Sequence, residues 1–445
     1  MTPELVAGVA AGYGSFVMEE EGRGRRPFCI GRDSRTSGPM FVRAVAAGLL
    51  SVGADVVDLG LVPTPTLLLA TRNREAAGAV GVTASHNGSE WNALKLAGGD
   101  GIFLSPERME RFLASLGERE PRRASWQELG MFREEGGAVD AHIRSILSLP
   151  VLDVEAIRRR RFTVALDCVH GAGGTIMPRL LQELGCHVEG IGLETDGLFP
   201  RDPEPTAANL AALGERTAET GADLGMAVDP DVDRLALVDG GGIPVGEELT
   251  LALAAAAVLG RSPGPVVTNL SSSQLVEDVA RHFQVPVHRV PVGEVNVARK
   301  MQDIGASVGG EGNGGVIFPA LHATRDAPLA AALVLQHLTD EGGDLRSAVD
   351  RWPAYRIVKE KVSVPAGGLD GVYEALSSRL EAPDVDRQDG LRLSWPQARR
   401  WLHVRPSGTE PVVRLIAEAR EEEEARELIG RVRALLAEMD QAPGR

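Results

Sequence analysis

Short apolar runs of strand length, each followed by a longer segment of helical periodicity, recur along most of this chain. That alternation restricts it to an α/β architecture with largely parallel pairing. Residues 27–30 precede a helical pattern at 40–52, 55–59 precede 65–72, and 79–82 run into a polar loop. The pattern restarts at 161–167, where a strand meets the 171–174 glycine turn and a helix at 175–184. It restarts again at 265–268, followed by a helix at 272–283 and a strand at 287–290. Beyond this the pattern changes, with strands at 401–405 and 412–417 flanking a turn and a charged amphipathic helix at 421–439, which reads as an α+β module. Pro, Gly or a change of pattern marks boundaries near 148–150, 247–249 and 364–368. The expected organisation is four domains, 1–148, 149–248, 249–363 and 364–445: three similar α/β mixed-sheet domains and a C-terminal α+β domain.

A chain of 445 residues exceeds what one core usually supports, in keeping with several domains. With 62 acidic against 47 basic residues and a net charge of -15, it is a poor general binder of nucleic acid or membrane surfaces. An anionic substrate therefore needs a local basic pocket. Nearly all the basic residues are arginines, which makes Lys95 stand out. Cys29, Cys168 and Cys186 are odd in number and form no CxxC, so they read as buried free thiols of a reducing compartment. Residues 1–18 carry no basic leader, and the longest apolar run, 249–259, is too short to span a bilayer. A soluble cytoplasmic protein is expected.

Asp229-Pro230-Asp231-Val232-Asp233-Arg234 lies between the strand-like runs 224–228 and 235–238, on a tight loop at strand ends. Three hard carboxylates at alternate positions suit Mg²⁺, and they repel one another unless a cation joins them. An EF-hand requires Gly at its sixth position and Glu at its twelfth, where this sequence has Arg234 and Gly240. Ser85, within Thr83-Ala84-Ser85-His86-Asn87-Gly88, follows a strand and sits in a polar turn. A phosphate on its hydroxyl adds nearly two negative charges, which a cation and Lys95 would offset. His86 and Lys95 are candidate proton carriers, and Lys95 needs a lowered pKa to act as a base. Alone, such a serine reads as a capping turn; the acidic loop and a third motif change that reading together. The third motif, Arg405-Pro406-Ser407-Gly408-Thr409-Glu410-Pro411, offers a guanidinium, two hydroxyls and accessible backbone N–H groups, with Arg414 on the returning strand. These are donors for anchoring a phosphate, and the competing reading is a hairpin turn with surface arginines. Glycines at 309–315 nominally match GxGxxG, but a strand-like run follows instead of a helix, which argues against a dinucleotide site. No P-loop motif occurs.

These motifs, in this order, resemble the α-D-phosphohexomutase superfamily over nearly the whole chain. The resemblance implies four domains around a central cleft and a phosphoserine that donates its phosphate to a hexose phosphate. The bisphosphorylated sugar turns over, and its other phosphate returns to the serine. On this resemblance Ser85 is the phosphocarrier, Asp229, Asp231 and Asp233 hold Mg²⁺ together with a phosphoserine oxygen, and Arg234 stabilises the moving phosphoryl group. Glu311 and Asn313 fall on the loop that reads the sugar hydroxyls; Arg405, Ser407, Gly408, Thr409 and Arg414 fall on the distal phosphate site. Val292-Gly293-Glu294 matches another substrate-facing loop.

The sequence departs from the pattern in places. Pro230 and Val232 replace glycines of the acidic loop, Gly88 replaces a frequent proline, and Asn313 and Gly315 stand where many members have Ser and His. With residues 199–205, this variant looks most like the archaeal-type phosphoglucosamine and phosphomannose mutase branch. The family's usual opening strand and Gly-Thr-x-Gly-x-Arg-Gly segment are not matched, since residues 1–5 already read as a helix start. A start assigned too late is the expected explanation, and a shortened enzyme with weakened transfer or a different role is the other reading. The expected activity is Mg²⁺-dependent intramolecular phosphotransfer on a hexose 1- or 6-phosphate, glucosamine phosphate first, with mannose or glucose phosphate next. A sugar-phosphate binder with weak activity and a phosphoserine-dependent sugar phosphatase are the alternatives. Hexose phosphate and hexose bisphosphate are the expected partners, with no nucleic acid and no membrane.

Overall fold

The computed structural model describes residues 1–20, 26–118, 120–365, 368–407 and 411–441. Four sheets follow one another along the chain. In the first three, the same four-strand core recurs. The opening strand (Phe28–Arg32, Thr163–Asp167 or Val266–Asn269) pairs in parallel with the second (Val56–Leu61, His187–Ile191 or Val287–Val290) on one side. On its other side it pairs in parallel with the third strand (Gly78–Val82, Leu224–Val228 or Val308–Glu311). The fourth (Leu94–Gly98, Leu235–Asp239 or Gly315–Phe318) returns antiparallel to the third. The sheets are thus mixed, and the repeat that the residues alone do not reveal is a repeat of topology.

Consecutive parallel strands require crossover helices, and the helical segments supply them. Gly38–Leu50 and Thr64–Asn73 serve the first sheet. The expected helix at 272–283 begins later, at Leu275, because Ser273 Oγ accepts from the Leu275 N–H and Ser272 Oγ bonds Asn269 and Thr268. Helix formation near 175 is likewise delayed to Met177 by a 3₁₀ turn at Ala172–Thr175. The apolar run at 249–259 forms the helix Glu248–Leu259, which is buried all round and packs against Ala327–Glu341 at the centre of the largest core. Among the described residues, no helix is long and apolar enough to cross a membrane. Cys29, Cys168 and Cys186 are buried and unpaired, as their spacing implied.

The first helix, Pro3–Glu20, lies on Gly38–Leu50, where a Cβ at Gly48 would come within 2.3 Å of the Ala7 carbonyl. Only glycine permits that approach. A buried polar knot ties the first sheet's helices to the third unit: Asp326 Oδ2 accepts from His142 Nε2 at 2.8 Å and His322 Nε2 at 2.7 Å, while His142 Nδ1 bonds Thr66 Oγ1 at 2.8 Å.

The fourth sheet is antiparallel, and the helices Asp370–Leu380 and Glu422–Gln441 share its core. It docks on the third unit through Glu418, which accepts from the Gln274 N–H at 3.0 Å and from Trp401 Nε1 at 2.6 Å. Ser271 Oγ and His403 Nδ1, 2.8 Å apart, add a second contact.

Candidate active site

The shared topology places one loop in the same position of each of the first three units, between the third strand and the antiparallel fourth. These loops span 83–93, 229–234 and 312–314. They carry Ser85, the three aspartates, and Asn313 beside Glu311. A strand that ends and reverses leaves its loop projecting beyond the sheet, so three topologically equivalent loops can meet at one place. They do: Ser85 Oγ donates to Asp229 Oδ2 at 3.0 Å, and the Leu235 N–H donates to the Gly314 carbonyl at 3.0 Å.

Ser85 has φ +49, a left-handed conformation costly for a residue with a side chain. Thr83 Oγ1, accepting from the Ser85 N–H at 3.0 Å, and Arg35 hold it there. Arg35 is fully buried and donates to the carbonyl oxygens of Ser85 at 2.7 Å, Asn87 at 2.6 Å and Trp91 at 2.8 Å, and also to that of Gly88. Its remaining edge pairs with Asp33 at 2.9 Å. Burial pushes the Asp33 carboxyl up to about 6 against the opposing pull of Arg35. Neither residue was singled out in the sequence. The signal was the run Arg32-Asp33-Ser34-Arg35 at the end of a strand, which reads as an ordinary polar loop until folding brings Ser85 to it.

Asp229, Asp231 and Asp233 are all buried, each offering a carboxylate oxygen, and these oxygens lie within 4.8 Å of one another. Asp229 Oδ1 accepts from the backbone N–H groups of Asp233 at 3.1 Å and Arg234 at 3.2 Å. The loop turns through Val232 at φ +67, a strained conformation for a β-branched residue where a glycine would sit freely. Val232 is held by burial and by the Ala327 N–H, which donates to its carbonyl at 3.2 Å. Burial, reinforced by Asp233 and Asp231, raises the Asp229 carboxyl well above the ordinary range. Asp231 moves the other way: burial opposes, but Lys95 and Thr64 outweigh it and hold the carboxyl low. Asp231 Oδ1 and Asp233 Oδ1 are buried with no hydrogen-bond partner. Converging hard oxygens, two of them unsatisfied, fit a divalent cation.

Lys95 Nζ lies 2.6 Å from Asp231 and 3.5 Å from Asp233. Burial lowers its pKa, but these carboxylates more than reverse the effect and hold it above the ordinary value. That is opposite to the shift a lysine base requires, so in this arrangement Lys95 is a charge partner. His86 is shifted down, by burial first and by Arg234 second, which disfavours the charged imidazolium. Arg234 donates to Glu204 Oε1 at 3.1 Å, and His86 Nε2 lies 4.0 Å from the same oxygen.

Glu311 is 4% exposed. Its Oε1 accepts from Asn269 Nδ2 at 2.8 Å and the Gly293 N–H at 3.1 Å, and its Oε2 from Arg325 at 2.8 Å. Asn313 Oδ1 accepts from the Gly315 N–H at 3.2 Å, and Asn313 remains half-buried. Glu248 packs on the same loop, its carboxyl oxygens within 2.2 Å of where a Cβ on Gly312 would stand. Burial raises its pKa to about 8. Glu248 and Arg325 also escaped the sequence reading.

Of the residues expected to form a phosphate cradle, Arg405 Nε donates to Asp389 Oδ2 at 2.7 Å, and Arg414 Nε to Ser407 Oγ at 3.4 Å. Asp389 also accepts from the Val292 N–H at 3.0 Å, which ties this sheet to the third unit's loop. Gly408 and Thr409 lie outside the described residues.

Comparison with known proteins matches four family profiles in order. They are the phosphoglucomutase/phosphomannomutase alpha/beta/alpha domains I, II and III over residues 1–122, 140–242 and 246–355, and the C-terminal domain over 358–435. The chain is 36% identical, over 96% of its own length and 93% of the relative's, to a protein of Thermococcus kodakarensis named phosphoglucomutase/phosphomannomutase. It is also 36% identical, over 96% of its length and 92% of the relative's, to a probable phosphoglucosamine mutase of Methanopyrus kandleri. Among solved structures, a phosphoglucomutase/phosphomannomutase family protein of Burkholderia thailandensis superposes with a TM-score of 0.86. It covers 100% of this chain and 95% of the other at 24% identity, and so supports the fold.

Proposed function

Because the chain belongs to the phosphoglucomutase/phosphomannomutase family, we propose that it interconverts hexose 6-phosphates and hexose 1-phosphates through phosphorylated Ser85, with glucosamine phosphate the preferred substrate. The enzyme class is an isomerase that works by intramolecular phosphotransfer. The observation that carries the reading is the 3.0 Å approach of Ser85 Oγ to the buried aspartate cluster, made by two topologically equivalent loops.

In the forward half-reaction a sugar hydroxyl attacks the Ser85 phosphoryl group. The O–P bond to serine breaks as the bond to the sugar forms, and the serine oxygen takes up a proton in exchange for the one the sugar hydroxyl loses, leaving a serine hydroxyl and a bisphosphorylated hexose. After the sugar turns over, its other phosphate returns to Ser85 by the reverse displacement. His86, whose charged form burial disfavours, takes the proton of the attacking hydroxyl. Arg234 and Lys95 offset charge on the moving group from fixed positions, which avoids reorganisation during transfer. Asp229, Asp231 and Asp233 would hold Mg²⁺, which when bound neutralises charge on the phosphoryl oxygens. Glu311 and Asn313 read the hydroxyls away from the reacting carbon, and Arg405, Ser407, Gly408, Thr409 and Arg414 anchor the idle phosphate. Anchoring at a distance converts binding energy into alignment at the reacting atoms.

Glucosamine is favoured because the Methanopyrus kandleri relative, 36% identical over nearly the whole chain, is named a probable phosphoglucosamine mutase. Phosphorus NMR of the protein primed with hexose bisphosphate and Mg²⁺, run on glucosamine, mannose and glucose 6-phosphates, tests the reading. A growing 1-phosphate signal, fastest for glucosamine and absent in Ser85→Ala, is expected. Release of inorganic phosphate without isomer would refute it.

A further inference from the structure

Arg325 lies between the acidic loop and the sugar loop and uses each edge of its guanidinium for a different carboxylate. Nη2 is 2.6 Å from Asp233, Nη1 is 2.8 Å from Glu311, and Nε is 3.3 Å from Glu294. Its side chain is 9% exposed, and those of the three partners are between 1% and 7% exposed. The partners come from three separate segments: the loop after Leu224–Val228, the last residue of Val308–Glu311, and the first residue of the helix Glu294–Ile304. The neighbouring chain accommodates this side chain: a Cβ on Gly315 would stand 2.2 Å from Arg325 Cδ, so the return strand of the sugar loop begins with the residue that leaves it room. Glu294 is itself fixed by the Arg325 N–H at 2.8 Å and by Thr324 Oγ1.

We infer that Arg325 is a positioning residue that couples cation occupancy of the acidic loop to the set of the sugar-recognition loop. The inference rests on the phosphohexomutase reading of the site. Asp233 is shared among Arg325 at 2.6 Å, Lys95 at 3.5 Å and Arg234 at 3.7 Å. A divalent cation that takes up the Asp233 charge weakens its hold on Arg325, and the guanidinium charge is redistributed toward Glu311 and Glu294. The poorly screened interior makes that redistribution large. Glu311 is then held more firmly in the orientation in which the remaining lone pair of Oε2 meets a sugar hydroxyl. By linkage, sugar binding strengthens cation binding by the same factor. A lysine cannot perform this task, because an ammonium is a point charge that does not reach three carboxylates from separate segments at once.

The test is calorimetric titration of the dephosphorylated full-length protein with glucosamine 6-phosphate, with and without Mg²⁺, in wild type and Arg325→Lys. Without a phosphoserine there is no turnover, so the readout is binding alone. In wild type, Mg²⁺ is expected to tighten the sugar phosphate by about five- to fifty-fold, and in Arg325→Lys the factor falls to within about twofold of unity. An equal factor in both proteins, or none in wild type, overturns the inference. Should Arg325→Lys not fold, amide hydrogen exchange in wild type decides. Mg²⁺ alone must slow exchange across residues 311–315, and unchanged exchange overturns the coupling. A sugar phosphate that binds neither with nor without Mg²⁺ counts against the proposed function, whereas one that binds equally in both conditions counts against the coupling only.

Discussion

Arg35→Met removes the side chain that holds the Ser85 loop in shape while leaving every side chain proposed to meet substrate in place. In the native arrangement Arg35 satisfies four loop carbonyls and the Asp33 carboxylate, all from a fully buried position. Removing one partner of a buried pair costs about 3–5 kcal/mol. Part returns, because Ser85 at φ +49 can relax from a left-handed conformation costing ~1–2 kcal/mol. Asp33, already near pKa 6, also protonates instead of remaining as an unpaired charge. The net loss is therefore about 1–4 kcal/mol, expressed in the first unit. The relaxed loop no longer aims Ser85 Oγ at the aspartate cluster, and a displacement of about 1 Å costs roughly a hundredfold in kcat. KM should hold, since the sugar and distal phosphate contacts lie on other units. Arg35→Lys should recover part of the stability but little of the rate, because three ammonium donors cannot replace the fork. Hydrogen exchange across 83–93 combined with steady-state kinetics checks this. Native-like exchange and a kcat within about threefold of wild type in Arg35→Met would refute the reasoning.

Other consequences are open to measurement. Glu248, raised to about 8 in the fold from a model-peptide value near 4.5, contributes stability that is present below pH 4.5 and lost as pH rises through 8. Glu248→Gln should therefore gain on wild type in thermal unfolding as pH goes from 5 to 8; a constant difference would contradict this. Lys95→Met leaves Asp231 and Asp233 without their ammonium, so calorimetry should find Mg²⁺ bound more tightly while phosphoryl transfer falls at least about tenfold. Weaker Mg²⁺ binding would argue that Lys95 supports the cation site instead of competing for it. Arg405→Ala should raise KM for hexose phosphates by about ten- to a hundredfold with a smaller change in binding of unphosphorylated sugar. Equal effects on both ligands would remove it from the phosphate cradle.

The sequence was most informative where chemistry is written into neighbouring residues. The aspartates at alternate positions, the serine after a strand and the arginine-hydroxyl-glycine run are each local, and strand patterns on both sides of the aspartates and ahead of the serine located the first two on loops. It was least informative where one residue answers another from a distant segment. Asp33 and Arg35 acquire meaning only when the first and third strands pair and bring Thr83 within 2.7 Å of Asp33. Arg325, the knot of His142, His322 and Asp326, and Glu248 against Gly312 are of the same kind, since none has a local pattern that predicts its partner. That the first three units would be alike was legible in their strand and helix pattern, but their common strand order was not, because loop length and side chains differ between the units. Lys95 shows a different limit: the residue type admitted a base or a charge partner, and only its two aspartate neighbours fix the direction of its shift.

The central claim is that Ser85 carries the phosphoryl group between sugar and enzyme. Peptide mass spectrometry of rapidly quenched protein measures this directly, first after exposure to hexose bisphosphate with Mg²⁺ and then after a chase with glucosamine 6-phosphate. The account predicts one phosphoryl group on the peptide containing Ser85, lost during the chase as bisphosphorylated sugar appears. A phosphoryl group on any other residue, or isomerisation by Ser85→Ala at the wild-type rate, would contradict it.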